Sequence, residues 1–179
     1  MAGLCYEAAE VAARVYETGG GWGDTFLVEP PFIAIRGSDD PVDWWSNIHI
    51  SRTGKLHSGF LEAAHNISLQ LPAIFGGTIF TGHSRGGAIA EILAQRFKCH
   101  AITFGAPKTG VKYDKVTAFI AAGDPVPHLP LTYRRRTPYF YLKRGEVIQN
   151  ISWATVLWDI LTLRGVQHSM SNYLELLNP

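Results

Sequence analysis

The stretch Thr78-Ile79-Phe80-Thr81-Gly82-His83-Ser84-Arg85-Gly86-Gly87, running into Ala88 to Phe97, decides how this chain folds. Thr78 to Thr81 reads as a short buried strand, and Ala88 to Phe97 as a helix. Between them, Gly82-His83-Ser84-Arg85-Gly86 forms the pattern G-x-S-x-G in its required setting of strand, tight turn and helix. A serine on so sharp a turn sits in strained backbone geometry with its hydroxyl pointing outward. Glycines two residues to either side let strand and helix approach without Cβ clashes. The start of the following helix offers unpaired N–H groups and a positive dipole end, both suited to a developing oxyanion. The bland alternative is an incidental Gly/Ser turn, which the placement between strand and helix disfavours.

Outward from this elbow the same alternation continues. Upstream, Leu4 to Tyr16 reads as an amphipathic helix stopped by Thr18-Gly19-Gly20-Gly21. Thr25 to Val28 and Phe32 to Ile35 read as strands joined through Glu29-Pro30-Pro31. Asp39-Asp40-Pro41 opens a helix to about Ile48, and His57 to Leu71 carries another, with Pro72 just beyond. Downstream, His100 to Phe104 and Val116 to Ala122 are two more buried strands. Pro138 to Leu142 and Glu146 to Ile151, around Arg144-Gly145, read as an edge hairpin. Short apolar runs alternating with helices predict an α/β fold: a mostly parallel central sheet covered by helices on both faces. No repeat or linker interrupts residues 1–179, so one domain is expected.

Composition excludes several function classes. Of 179 residues, 46% are hydrophobic and 17% charged, with 16 Lys and Arg against 15 Asp and Glu, a formal charge of +1. That supports a packed core and argues against disorder and against the basic footprint of a nucleic-acid binder. No apolar run approaches the roughly 18 to 20 residues of a membrane helix. Met1 to Glu10 lacks a basic and then apolar leader, so no signal peptide is expected; the protein is either cytoplasmic or released after leader removal. Cys5 and Cys99 are too few for a disulfide framework. One bridge between them is conceivable, although Cys99, opening the apolar run to Phe104, reads better as an inert buried thiol. His49 and His65 lack acidic partners at metal spacing, and Gly19 to Gly23 follows a helix rather than a strand. Neither a metal nor a dinucleotide cofactor is therefore expected.

A serine hydroxyl needs a base to take its proton and an acid to orient that base. After such an elbow the chain order is Ser, then Asp or Glu, then His. His100 begins a sheet strand with no plausible acid before it. His128 is separated from Asp124 by a stiff segment carrying Pro125 and Pro127. His168 follows a break at Gly165 and suits a loop-borne base. Asp124 directly follows the strand Val116 to Ala122, where α/β sheets place functional residues. Asp114 lies at the wrong end of that strand, and Asp159 lies in an apolar helix. The expected triad is Ser84, Asp124 and His168. A second oxyanion donor should follow an early strand, and Phe32 to Asp39 supplies Ser38, opposite the N–H of Arg85; Ser38 or Asp39 could equally cap the next helix.

Several separated motifs together resemble one family, the class 3 (fungal-type) lipases of the α/β-hydrolase fold. They are Ile35-Arg36-Gly37-Ser38, Asp43-Trp44 with Asn47, His57-Ser58-Gly59-Phe60, the elbow through Gly87, Thr103-Phe104-Gly105-Ala106-Pro107, Asp124 to Pro130, and His168, in the family's order. The resemblance implies hydrolysis of lipid-like esters by Ser84, Asp124 and His168, with Ser38 and Arg85 as oxyanion donors and with His57 and His128 structural. It implies a lipid or small ester as substrate. Arg85 stands where the family usually has Leu. Ile48 to Leu56, where the family carries its lid, is short and polar, so no full amphipathic lid and no strong interfacial activation are expected there. Ser152 to Leu163, with Trp153, Leu157, Trp158 and Leu161 around the lone Asp159, is either a buried packing helix or a flap making transient contact with lipid. Arg134-Arg135-Arg136 reads as a solvated turn or as a feature that steers anionic lipid. The same residues are compatible with a phospholipase, an acyltransferase, or a catalytically silent binding module.

Overall fold

The computed structural model describes residues 2–17, 25–37, 58–110, 112–130, 133, 137–143, 146–149, 151–162 and 168–178. One seven-stranded sheet organises them, with its strands in sequence order. The strands are β1 (Phe26–Glu29), β2 (Phe32–Ile35), β3 (Ile79–His83), β4 (His100–Phe104), β5 (Val116–Ala121), β6 (Tyr139–Lys143) and β7 (Glu146–Ile148). From β2 to β6 all neighbours are parallel, while β1 and β7 pair antiparallel at the two edges. This is the mostly parallel sheet expected from the sequence, edge hairpin included.

The helices divide between the faces. α1 (Ala2–Arg14) and α5 (Met170–Leu177) cover one face, where Ala8, Val11, Ala12 and Val15 meet Phe32, Ala34, Ile102 and Phe104. The small α1 side chains allow close approach, and the Thr81 hydroxyl donates to the Ala8 carbonyl at 3.1 Å, tying β3 to α1. α2 (Ser58–Ser68) and α3 (Arg85–Phe97) cover the other face against Ile33, Ile35 and Phe80. All four residues of β2 are buried, as a strand sandwiched between two helical layers requires. Fully burying a side chain such as Phe80 contributes about 2 to 3 kcal/mol. α4 (Trp153–Thr162) follows the edge hairpin and packs Val156 against Ile120 and Tyr141.

Register is pinned by aromatics. Phe104, Phe119 and Phe140 lie side by side on β4, β5 and β6, each ring 5.6 Å from the next. The chain leaves the C-terminal ends of β3, β4 and β5 at Ser84, Gly105 and Ala122, the last on the way to Asp124.

Several expectations need correction. The helix after the elbow begins at Arg85 rather than Ala88, because Gly86 and Gly87 disguise its first turn. α5 was not expected at all. His100 begins β4, paired with Ile79, and is exposed rather than part of the core. Cys5 and Cys99 are both free, and Cys99 is only partly buried, since it lies in the connection leading into β4. The expected helix at 39–48, the segment Ile48 to Leu56, Ser38, His49, His57, Arg134 to Arg136, and the turn at Arg144-Gly145 lie outside the described residues. Among the described residues, no helix is long and apolar enough to cross a membrane.

Candidate active site

Ser84 follows β3 and immediately precedes α3 with φ 57° and ψ −130°, a left-handed excursion that non-glycine residues rarely make. Its N–H donates to the Phe104 carbonyl at 2.9 Å. The neighbouring glycines are required by contact. A Cβ on Gly82 would lie 2.6 Å from the Gly86 carbonyl carbon, and one on Gly86 would collide with the Ile35 carbonyl oxygen. The turn is therefore locked between β2 and α3, with the N–H of Arg85 at the first residue of the helix. Ser84 itself is 2% exposed.

Asp124 lies three residues beyond β5 and is fully buried. Its Oδ1 accepts from the Val126 N–H at 2.9 Å. Its Oδ2 is 2.7 Å from His168 Nδ1 and accepts from the Tyr173 hydroxyl at 2.7 Å. An ionised carboxylate only accepts, so Nδ1 carries a proton and donates it. That fixes the tautomer and leaves Nε2 as the ring's basic nitrogen. Nε2 is buried and has no hydrogen-bond partner among the described residues. The structure thus brings Asp124 and His168 together as the sequence predicts, and leaves the rival Asp159 elsewhere.

Gly105 joins the two halves of the site. It follows Phe104, the acceptor for Ser84, and adopts φ +59°. A Cβ there would lie 2.8 Å from His168 Cε1, 2.9 Å from the Tyr173 hydroxyl and 3.1 Å from Asp124 Oδ2. Only a glycine lets β4 end against the imidazole.

The second face of the His168 ring meets His83, the elbow residue before Ser84, with centroids 4.3 Å apart. Burial, aided by the charge on His168, pushes His83 well below the ordinary histidine value. It remains a neutral plate, with Nδ1 3.3 Å from the Tyr16 hydroxyl of the turn after α1. His128 lies in the 3-10 turn Val126–His128, where Trp153 meets its ring edge-on at 5.5 Å. It is not the partner of Asp124.

Known proteins resemble this chain in sequence and in fold. The family model described as Lipase (class 3) matches residues 32–134, more than half of the chain. The chain belongs to the class 3 lipase family. A secreted mono- and diacylglycerol lipase of Fusarium solani is 27% identical over 173 residues. That match takes in 78% of this chain and 51% of the Fusarium protein, so the chain spans about half the length of that curated relative. Two solved lipases share the fold. The Lip2 lipase of Yarrowia lipolytica superposes with a TM-score of 0.61 at 16% identity, covering 89% of each chain. The triacylglyceride lipase of Rhizomucor miehei gives 0.59 at 16% identity, covering 94% of this chain and 89% of its own. The sheet described above is an α/β-hydrolase sheet of the class 3 lipase type.

Sequence reasoning missed Tyr173, Gly105 and the packing role of His83. Only Gly105 had a local signal, the Gly-Ala-Pro that closes a strand. The Tyr173 contact is made across 49 residues and has no sequence signature. Among the described residues, no group of three or more His, Cys, Asp or Glu side chains could hold a metal.

Proposed function

We propose that this chain is a single-domain, cofactor-free serine carboxylester hydrolase acting on acyl esters of glycerides or similar lipids. Ser84 Oγ attacks the ester carbonyl while His168 Nε2 takes its proton. Asp124 holds the imidazole in the required tautomer and stabilises the imidazolium. The N–H of Arg85, with that of Ser38, receives the oxyanion, where each donor is worth about 10²- to 10³-fold in kcat. His168 returns the proton to the leaving alcohol, giving an acyl-enzyme, and water then deacylates Ser84 with His168 again as base.

The observation that carries this reading is the buried Asp124–His168 hydrogen bond at 2.7 Å, which leaves Nε2 unpartnered on a ring packed against the elbow. Support for glycerides comes from the Fusarium relative's name. Further support for a lipid substrate comes from α4. Of its residues only Val156 and Asp159 are buried, so it is not a helix buried all round. Trp153, Leu157, Trp158 and Leu161 are 46 to 66% exposed, and in this reading they meet acyl chains or a lipid surface.

The test is stoichiometric labelling by a fluorophosphonate, abolished in Ser84→Ala. An unlabelled wild type would leave a silent module as the better account. A chain-length series of p-nitrophenyl esters, read below and above micelle formation, then assigns lipase or esterase.

A further inference from the structure

Tyr173 belongs to α5, a helix with no part in the reaction just described, yet its hydroxyl bonds the carboxylate of Asp124. It is fully buried. Its hydroxyl accepts from the Ala121 N–H at 3.1 Å and lies 2.7 Å from Asp124 Oδ2. A phenol has one proton, and with the Ala121 N–H already aimed at its oxygen, that proton goes to the carboxylate. Its ring meets His83 edge-on at 5.7 Å and Phe104 at 6.0 Å.

The connectivity makes this more than packing. His168 is followed by Ser169, whose side chain caps α5 by accepting from the Asn172 N–H at 3.3 Å. Tyr173 comes at the end of that first turn. One short element therefore carries both the base and a clamp on the base's partner. Asp124 Oδ2 receives two bonds from that element, one from each.

We infer that Tyr173 is a positioning residue of the catalytic base, holding Asp124 at Oδ2 and setting the proton affinity of His168. The inference rests on the triad reading above. The physical argument concerns charge. A hydroxyl donating to Oδ2 neutralises part of the carboxylate charge that His168 sees, so the imidazolium is less stabilised than beside a bare carboxylate. Among the described residues, the titratable groups that meet His168 and its partners include Asp124 from the end of β5, His83 from β3 and Tyr173 from α5, with Tyr16 from the turn after α1 meeting His83. His83 stays neutral, so Asp124 and its hydrogen bonds dominate the electrostatics at the ring.

The experiment is the pH profile of kcat/KM for wild type and Tyr173→Phe on a soluble p-nitrophenyl ester. The phenyl ring keeps the packing and removes the hydroxyl. The acidic limb should move upward by about half a pH unit, and kcat should fall on the order of 10-fold as the carboxylate gains freedom. An unshifted limb with kcat within about twofold of wild type would overturn the inference. Replacement of Tyr173 by 3-fluorotyrosine, nearly isosteric but a stronger donor, should move the limb the opposite way. If Tyr173→Phe does not fold, an unmoved limb in the fluorinated protein overturns the inference alone. A wild type that fails to label at Ser84 would overturn the triad reading and this inference together, so the two failures are distinguishable.

Discussion

Asp124 and Asp159 are both buried aspartates, and each accepts from a tyrosine hydroxyl, Tyr173 at 2.7 Å and Tyr141 at 3.0 Å. Their other side-chain partners differ. Asp124 faces an imidazole whose other nitrogen is unpartnered, whereas Asp159 is gripped by the Lys143 ammonium at 2.7 and 3.0 Å. An ammonium offers no lone pair to a nucleophile's proton at neutral pH, so the Asp159 cluster is not built as a general base; its bonds fasten α4 to β6. A buried carboxylate and a tyrosine hydroxyl donating to it are common to both clusters. What separates a site from a staple is the chemistry of the partner and its place at the strand ends beside Ser84.

Among variants that leave both aspartates in place, the largest expected effect comes from pushing the working cluster apart without touching its members. Gly105→Ala places a methyl group against His168 and imposes a φ that L-residues disfavour. It should lower kcat/KM on the order of 10²-fold through displacement of the base, read by steady-state kinetics on a folded variant. A change within threefold would show that the end of β4 does not position the imidazole.

Next comes the staple. Asp159→Asn leaves the partly buried Lys143, 28% exposed in its side chain, without its counter-charge. Urea unfolding should show a loss of about 2 kcal/mol, below the range for a fully buried pair because water reaches the ammonium. No loss of stability would mean that α4 is held by Val156 and its apolar neighbours alone.

The smallest effect is a slope. His83 is held neutral by burial, so its folded-state value lies well below the 6.5 of the unfolded chain. Below pH 6.5 the unfolded chain binds a proton that the folded one refuses. Its full stability is therefore present above 6.5 and is lost as pH falls from there towards the folded-state value, by up to about 1.4 kcal/mol per pH unit. His83→Phe should flatten that acid slope in denaturation measured from pH 7 to pH 5. An unchanged slope would show that His83 titrates normally.

Much of this was legible in the sequence, for identifiable reasons. Buried parallel strands such as Phe32–Ile35 and His100–Phe104 announce themselves as short apolar runs, and the elbow glycines lie where backbone contacts forbid Cβ atoms. Asp124 could be chosen over Asp159 because it directly follows a strand. Other features depend on three dimensions. α5 is eight residues long and begins among Ser169, Ser171 and Asn172, too short and polar a start to show helical periodicity. Tyr173 near Asp124 and His83 beneath His168 are meetings of distant segments. The orientation of α4, with Trp153, Leu157, Trp158 and Leu161 outward and Asp159 inward beside Val156, rests on contacts with Tyr141, Lys143 and Ile120 that its own pattern does not announce.

The contrast between the two aspartates can be tested in a single assay, by comparing kcat of Asp124→Asn and Asp159→Asn on one soluble ester. The account predicts a loss on the order of 10⁴-fold for Asp124→Asn, which allows the wrong imidazole tautomer, and a rate within about threefold of wild type for Asp159→Asn, which changes only a staple. Comparable losses in both variants, or the greater loss in Asp159→Asn, would contradict it.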